Sequence, residues 1–364
     1  MRQAWVEVDL DAVRSNVRAT LGVLGRSTQL LAVVKADAYG HGAVPVARAA
    51  LEAGATWLGV ARPDEALALR AAGVEAPLLV FGYSPADMVV QGASQRVSFT
   101  VFSEASLRAA VEASARSPVG VAVHLKVDTG MTRVGFPPEK AVEVADRIAN
   151  TPGLHLEGVY THFACADSDR TFTEEQLRRF LSTVAALRAR GHHAPFVHAA
   201  NSAATFAVPE SHLDLVRVGI ALYGLPSGVP TPALRRAMRV VAQAVQVRRV
   251  PADTPVSYGA SYRTKGSTTI VTVPVGYADG LPRGLSNRGF ATVRGRRVPY
   301  AGVVTMDFLM LDVGELEVRE GDEVELVGAQ VPAEELAGLC GTIPYEIVSR
   351  VGPRLPRVYR GDGV

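Results

Sequence analysis

The first 230 residues alternate short apolar runs of strand-forming residues with alanine-rich stretches of helical character. The pattern predicts eight strands, at 30–36, 57–61, 77–82, 97–102, 120–127, 156–163, 196–201 and 215–222. It predicts helices between several of them, at 43–53, 64–72, 103–115, 138–150 and 173–190. Strands buried on both faces read as continuous apolar runs, and parallel strands need helical crossovers. Eight such strands in about 220 residues match a (β/α)8 barrel, the TIM-barrel form of the α/β class.

A doubly wound parallel sheet is the alternative that this alternation leaves open. Such sheets usually contain fewer than eight strands. The first predicted strand is also not followed by the GxGxxG pattern that marks a dinucleotide site. The barrel is therefore the favoured architecture.

The pattern changes near residue 230, where Pro226, Gly228, Pro230 and Pro232 interrupt the chain. The segments beyond it are mostly strand-like, at 238–250, 268–276, 290–294, 298–304, 308–313 and 323–327, with one helix at 332–340. We therefore expect a barrel domain over residues 1–230 and a mainly β domain over residues 231–364. Residues 1–10 are able to join the second domain instead of the first.

Composition excludes several other classes of protein. The 38 basic and 36 acidic residues leave a net charge of +2, which gives no reason to expect nucleic acid or an anionic membrane as the partner. Cys165 and Cys340 form no CxxC pair, so neither a disulfide scaffold nor a zinc finger is indicated. The acidic start of the chain does not resemble a signal peptide, and no uncharged apolar run approaches the ~20 residues of a membrane span. We expect a cytoplasmic protein.

Chemically versatile side chains follow the predicted strands at their carboxyl ends, where barrels build their active sites. They are Lys35 and Tyr39 after strand one, Lys126 and Arg133 after strand five, His162 after strand six, Ser202 after strand seven, and Arg217 and Gly219 at strand eight. Only four of the 38 basic residues are lysine, and two of those four are in this set. A strand-end lysine taken alone is usually a solvated cap, and a lone histidine or arginine is usually structural. Their convergence on one barrel mouth favours an active site.

This combination suggests pyridoxal 5′-phosphate (PLP) as the cofactor. A lysine shielded from water loses its proton readily and serves as a nucleophile or a base. Ser202 and the backbone near Gly219 suit a phosphate, and barrels recurrently bind phosphate after strands seven and eight. A Schiff-base lysine together with a phosphate site is what PLP needs. P-loop, GxSxG and HExxH patterns are absent, and no metal-ligand spacing is present, so we expect no metal.

Several longer motifs resemble those of the alanine racemases, in order along nearly the whole chain. They are VEVDLDAVRSN, AVVKADAYGHG, HLKVDTGMTRVGF, GVYTHFACAD, HAANSAA, RVGIALYGL, VSYGASY, VPVGYADG and RLPRVYRG. The resemblance implies PLP-dependent interconversion of L- and D-alanine, which supplies D-alanine for peptidoglycan. It also implies a head-to-tail homodimer in which Tyr258 and Met306 reach the site of the other subunit.

The resemblance also implies a role for each matching residue. Lys35 binds PLP as a Schiff base and is the base on one face of the substrate Cα, and Tyr258 is the base on the opposite face. The other cofactor contacts are Tyr39, His162, Ser202, Arg217, Gly219 and Ile220. The substrate-side residues are Arg133, Tyr277 and Met306. Lys126 matches a lysine that is carbamylated in many members, where it orients the arginine at 133.

Two positions depart from the family pattern. Thr305 replaces a common cysteine, and Pro353 replaces a tyrosine whose hydroxyl reaches the cofactor phosphate. Proline has no hydroxyl with which to make that contact. Three other activities stay open at this point: a broad-specificity amino-acid racemase, a barrel-type PLP decarboxylase, and a PLP-binding carrier without catalysis. The decarboxylase would need an acidic residue where this chain has Arg217, and it would usually carry a catalytic cysteine in the β domain. Tyr258 and the second domain disfavour the carrier.

Overall fold

A computed structural model describes residues 3–361, and its central feature is the predicted barrel. The chain begins with strand β1 (Ala4–Asp9) and helix α1 (Leu10–Leu21), and the barrel strands then follow. These are β2 (Gln29–Val33), β3 (Trp57–Val60), β4 (Leu78–Val80), β5 (Val97–Val101), β6 (Val121–Lys126), β7 (Leu154–Tyr160), β8 (Phe196–His198) and β9 (Leu215–Val218). They form one parallel sheet in the order β8-β7-β6-β5-β4-β3-β2-β9.

Backbone hydrogen bonds join the two ends of this sheet. The Asp214 N–H donates to the Val197 carbonyl at 3.1 Å, and the Arg217 N–H donates to the Ala200 carbonyl at 3.0 Å. The strands are buried along nearly their full length because helices cover the outside and side chains fill the inside. The predicted fold class is confirmed.

Seven helices connect the described barrel strands, five of them near predicted positions and two, at 86–93 and 202–207, not predicted. They are α2 (Ala43–Glu52), α3 (Pro63–Ala71), α4 (Ala86–Ala93), α5 (Glu104–Arg116), α6 (Ala141–Ala149), α7 (Arg170–Ala189) and α8 (Ser202–Ala207). Helix α7 begins earlier than the predicted residue 173, because the Asp169 carboxylate accepts a hydrogen bond from the Phe172 N–H at 2.9 Å and caps the helix there.

The region beyond residue 237 is mainly β, as predicted. Its strands are β10 (Met238–Gln243), β11 (Gln246–Val250), β12 (Pro255–Val256), β13 (Tyr262–Arg263), β14 (Thr268–Val273), β15 (Phe290–Val293), β16 (Arg296–Pro299), β17 (Leu309–Gly314), β18 (Glu323–Val327) and β19 (Arg357–Arg360). Two short helices, α9 (Ala333–Cys340) and α10 (Pro344–Ser349), follow β18. Among the described residues, each helix is too short or too polar to cross a bilayer.

The strands of this region form three sheets. The largest has the order β16-β15-β18-β10-β1-β19, so the first strand of the chain pairs with strands from its far end. The smaller sheets are β11-β14-β17 and the β12-β13 hairpin. The pairing of β1 places Ala4–Asp9 in the largest sheet of the β region, and the division of the chain into domains stays a prediction.

The single predicted strand at 238–250 is wrong, because two strands of different sheets occupy it. The chain changes its hydrogen-bonding partner between them. The Ala244 N–H donates to the Asp322 carbonyl and the next N–H, of Val245, donates to the Thr272 carbonyl, each at 2.9 Å. The sequence MRVVAQAVQVRRV shows no turn residue at the switch, although β10 is largely buried and β11 is mostly exposed.

Candidate active site

A cavity of about 860 Å³ opens at the carboxyl ends of the barrel strands. Nine of the predicted site residues line it: Lys35, Tyr39, Lys126, Arg133, His162, Ser202, Arg217, Gly219 and Ile220. They come from loops after five different strands, as expected of a barrel site. The structure therefore brings together every predicted residue of the barrel.

Lys35 begins a turn in which the backbone is left-handed. Ala36, Asp37, Ala38 and Tyr39 have φ between 51° and 53°, a conformation that is unfavourable for residues other than glycine. Side chains hold the turn in place, because the Glu65 carboxylate accepts the Ala36 N–H at 2.6 Å and the Asp37 carboxylate accepts the Ala43 N–H at 2.7 Å. The backbone from which the Lys35 side chain enters the cavity is thereby held in place.

Burial lowers the pKa of the Lys35 amine, and the positive charge of Arg133 lowers it further. Both effects disfavour the ammonium form, because burial removes water from the charge and a like charge repels it. A lysine with a lowered pKa is a better nucleophile and base near neutral pH. The surroundings of Lys35 thus suit the role expected for it.

Lys126 ends strand β6 and is almost fully buried, with its amine 5.6 Å from the centre of the Tyr160 ring. Burial lowers the pKa of this amine to about 7, and the charges of Arg133 and Arg217 add to the effect. Arg133 itself lies exposed in the loop after β6. A substantial fraction of Lys126 is therefore an uncharged amine at neutral pH, next to two guanidinium groups.

Arg217 is buried and its guanidinium is paired with neutral acceptors. Its Nη2 lies 2.8 Å from the Thr161 carbonyl, 3.0 Å from the Ala199 carbonyl and 3.1 Å from His162 Nδ1. Burial lowers the pKa of Arg217 to about 10, so it stays protonated at neutral pH. Burial and the charge of Arg217 hold the pKa of His162 well below its usual range, which keeps that ring neutral and able to accept.

Two further histidines extend the Arg217 network to the barrel wall. Arg217 Nη1 lies 3.0 Å from His198 Nδ1, His198 Nε2 lies 2.9 Å from His124 Nδ1, and His124 Nε2 lies 3.2 Å from the Glu157 carboxylate. A guanidinium only donates, so His198 Nδ1 accepts and its Nε2 carries the hydrogen. The same reasoning gives His124 a hydrogen on Nε2, which it donates to Glu157. Burial lowers the pKa of both rings, in agreement with their neutral forms.

Replacing His198 with phenylalanine is expected to lower the stability of the protein, although an aromatic ring remains at this position. The His198 ring stacks on Tyr160 at 4.7 Å and 8°, a contact that phenylalanine keeps. Its two nitrogens are lost, so a buried donor of Arg217 and a buried acceptor of His124 become unpaired, at about 1–3 kcal/mol each. Urea unfolding followed by circular dichroism measures the effect. An unchanged unfolding midpoint would show that the network adds nothing to stability.

Hydroxyl groups gather at the end of the cavity after strands β8 and β9. The Ser202 hydroxyl accepts the Gly219 N–H at 3.0 Å, which leaves its own hydrogen to donate. A side chain on Gly219 would begin 2.5 Å from the Tyr39 hydroxyl oxygen, so only glycine allows that approach. Tyr39 is held by packing of its ring on Tyr223 at 4.9 Å. This end of the cavity suits a phosphate, because the hydroxyl groups of Ser202 and Tyr39 are able to donate there and Gly219 has no side chain to block an approaching anion.

The predicted residues of the β region lie outside this cavity. Tyr258 is 75% exposed, Met306 52% and Tyr277 43% in the single chain. Backbone bonds place two of them together, since the Tyr277 N–H donates to the Thr305 carbonyl at 2.9 Å. Pro353 is exposed and does not line the cavity. The cavity of a single chain therefore lacks Tyr258, Tyr277 and Met306 from the predicted set of site residues.

Sequence reasoning missed the residues that position the site. Glu65 anchors the Lys35 turn, and His198, His124 and Glu157 hold Arg217. His198 lies inside the seventh predicted strand, 196–201, and becomes a strand-end residue only because the observed strand β8 stops there. The neutral carbonyl and imidazole groups that surround Arg217 could not be read from the sequence.

Comparison with known proteins gives matches along nearly the whole chain. The family model for the N-terminal domain of alanine racemase matches residues 8–227, and that for the C-terminal domain matches residues 237–359. An alanine racemase of Desulfovibrio desulfuricans is 45% identical, and one of Desulfosudis oleivorans is 47% identical, with 98% of this chain and 98% and 96% of those chains covered. The crystal structure of alanine racemase from Streptomyces lavendulae superposes with a TM-score of 0.93 at 40% identity, over 99% of this chain and 98% of that one.

Proposed function

The chain belongs to the alanine racemase family and interconverts L- and D-alanine, and we propose that it does so with PLP bound in the barrel cavity. The general role of this reaction in the family is to supply D-alanine for peptidoglycan. One observation carries the cofactor proposal: Lys35, whose pKa is lowered, lies in the same cavity as a cluster of hydroxyl donors.

The residues present fit this cofactor. Lys35 offers a buried amine for the covalent link, and Ser202, Tyr39 and the Gly219–Ile220 backbone form a cradle for the phosphate. Arg217 is fixed between them by four hydrogen bonds to neutral acceptors. We assign Arg217 to the ring nitrogen of PLP, with His162 supporting it from behind.

PLP supplies an electron sink that makes the Cα hydrogen of bound alanine acidic. Racemisation then needs a proton to leave one face of Cα and another to arrive on the opposite face. We assign the first face to the Lys35 amine and the second to the Tyr258 hydroxyl of the other subunit. Arg217 keeps its own proton, and its partners His162 and His198 are uncharged. None of these three side chains therefore acts as an acid toward the ring nitrogen.

The exposed residues of the β region support a two-subunit site. Tyr258, Tyr277 and Met306 are large apolar or aromatic side chains that a monomer leaves in water. In a head-to-tail dimer with two-fold symmetry, each such patch covers the cavity of the other subunit. We propose that Tyr258 and Met306 are supplied in this way, with Tyr277 and Arg133 at the carboxylate end of the substrate.

Lys126 is proposed to carry a carbamate. An uncharged amine adds carbon dioxide and releases a proton, which leaves a carboxylate-like anion on nitrogen. Arg133 and Arg217 oppose the ammonium form of Lys126, and they attract the carbamate anion for the same reason. The modification would pair with Arg133 and orient it toward substrate.

Carbon-13 NMR of the protein in labelled bicarbonate is expected to show a bound carbamate signal. The signal should be present above pH 7 and weaken below it, because the pKa of Lys126 is about 7 and only the uncharged amine reacts. Lys126→Ala should abolish the signal. Lys140→Ala is the matched control, because Lys140 lies on the surface beside Glu143 and should leave the signal intact. A signal that survives in Lys126→Ala would refute the assignment.

The cytoplasm is the proposed location of the enzyme. Cys165 and Cys340 are both free thiols, as a reducing compartment permits.

The function itself is tested by incubating the purified protein with L-alanine in deuterated water. Equal amounts of both enantiomers, with deuterium at Cα, are expected, and a panel of larger L-amino acids would define the substrate range. A protein that binds PLP and exchanges no Cα hydrogen would instead be a cofactor carrier.

A further inference from the structure

The hydroxyl of Ser227 is buried in the wall of the active-site cavity without a hydrogen-bond partner. Ser227 is only 7% exposed, and its oxygen meets no donor or acceptor among residues 3–361. Three other buried side-chain atoms share this condition, on His41, Ser84 and Tyr300, and none of these residues lines the cavity. A hydroxyl taken from water needs a replacement partner, so a group that enters the cavity is the candidate partner for Ser227.

The position of Ser227 favours an anion as that group. It lies in the loop after β9, the eighth barrel strand, and it lines the same cavity as Ser202 after β8 and Gly219 after β9. Phosphate sites in barrels recur in the loops after strands seven and eight. Ser227 thus belongs by topology to the end of the cavity where the hydroxyl donors gather.

The loop that carries Ser227 is held firmly. Gly228 has φ +85°, and a side chain there would begin 2.7 Å from Cβ of Asp167, so the loop packs closely against the segment after β7. Asp167 is exposed at the cavity rim, where water screens its negative charge. The loop backbone next to the Ser227 hydroxyl is therefore packed against a neighbouring segment of the barrel.

We propose that the Ser227 hydroxyl donates a hydrogen bond to the phosphate group of PLP, beside Ser202 and Tyr39. The proposal rests on the proposed function and adds a cofactor-binding residue to it. It also gives the phosphate a hydroxyl donor in a chain whose residue 353 is a proline with no hydrogen to donate. Ser227 would contact the cofactor directly through its phosphate and has no part in proton transfer.

The test compares binding of PLP with binding of pyridoxal, which lacks the phosphate. The full-length protein is freed of cofactor, and each compound is titrated by absorbance and fluorescence. Ser227→Ala is expected to raise the Kd for PLP at least about tenfold, or about 1.4 kcal/mol, and to leave the Kd for pyridoxal within about twofold. Ser84→Ala is the matched control, because it also deletes a buried unpaired hydroxyl but one that does not line the cavity. It should change neither value.

Phosphorus-31 NMR of the loaded protein gives a second readout, independent of activity. The phosphate signal of Ser227→Ala should shift from that of the wild type, and that of Ser84→Ala should not. Equal PLP affinity in Ser227→Ala and the wild type would overturn the proposal. An equal loss of PLP and pyridoxal would overturn it too, because it would indicate a general change of the pocket. If the wild type itself fails to prefer PLP over pyridoxal, the cofactor proposal fails instead.

Discussion

Replacing Lys35 with arginine is expected to lower alanine racemisation by at least about 10³-fold, since both a covalent link and a general base are lost. The guanidinium keeps the positive charge but stays protonated at every working pH, so it can form no imine and accept no proton. Lys35 also begins a left-handed turn that Glu65 and Asp37 hold, so the arginine side chain would start from the same backbone position. The racemisation rate, followed by coupling D-alanine to an oxidase, measures the effect.

Lys140, one of only four lysines in this chain, provides the control for that experiment. Lys140→Arg makes the same chemical change on the surface, where Lys140 pairs with Glu143, and it should keep full activity. The absorbance band of lysine-bound PLP should also disappear in Lys35→Arg alone. A Lys35→Arg protein with more than about a tenth of the wild-type rate would contradict the assigned role.

Replacing Tyr258 with phenylalanine is expected to lower racemisation by about 10²–10⁴-fold, the range of a lost general acid or base. Its result should be distinctive in a second way. Lys35 still serves one face of Cα, so one enantiomer of alanine should exchange its Cα hydrogen for deuterium with its configuration retained. The other enantiomer should exchange far more slowly. Proton NMR in deuterated water, with chiral analysis of the product, separates the two outcomes.

Tyr300→Phe is the control for Tyr258, because it also deletes a tyrosine hydroxyl of the β region, one that has no hydrogen-bond partner among the described residues and does not line the cavity. It should racemise at the wild-type rate. If Tyr258→Phe exchanges both enantiomers at equal rates, a second base other than Tyr258 must be present.

The barrel was predictable from sequence because its physical cause is local. Strands such as β4 and β9 are buried along their whole length, so each reads as an unbroken apolar run of the right size. Lys35, Lys126 and Arg217 were predictable for the same reason, since each ends or borders such a run. The roles of these residues came from the family resemblance and not from the pattern.

The parts that escaped prediction depend on contacts distant in sequence. Nothing in the letters of Ala36–Tyr39 indicates a left-handed turn, because the turn is held by Glu65 from another helix. The switch of sheets at Ala244–Val245 depends on Asp322 and Thr272. The histidine chain from Arg217 to Glu157 has its members on four barrel strands, and only the assembled barrel brings them within hydrogen-bonding distance.

Mixing two inactive variants tests most directly whether two subunits build one racemase site. Lys35→Arg and Tyr258→Phe are unfolded together, refolded together and assayed against each variant refolded alone. A hybrid dimer then has one site with both substitutions and one site with neither, so an equal mixture should recover about a quarter of the wild-type activity. If Lys35 and Tyr258 acted within a single subunit, every site in the mixture would lack one base. Activity no higher than that of the separate variants, in a mixture shown to contain hybrid dimers, would contradict the account.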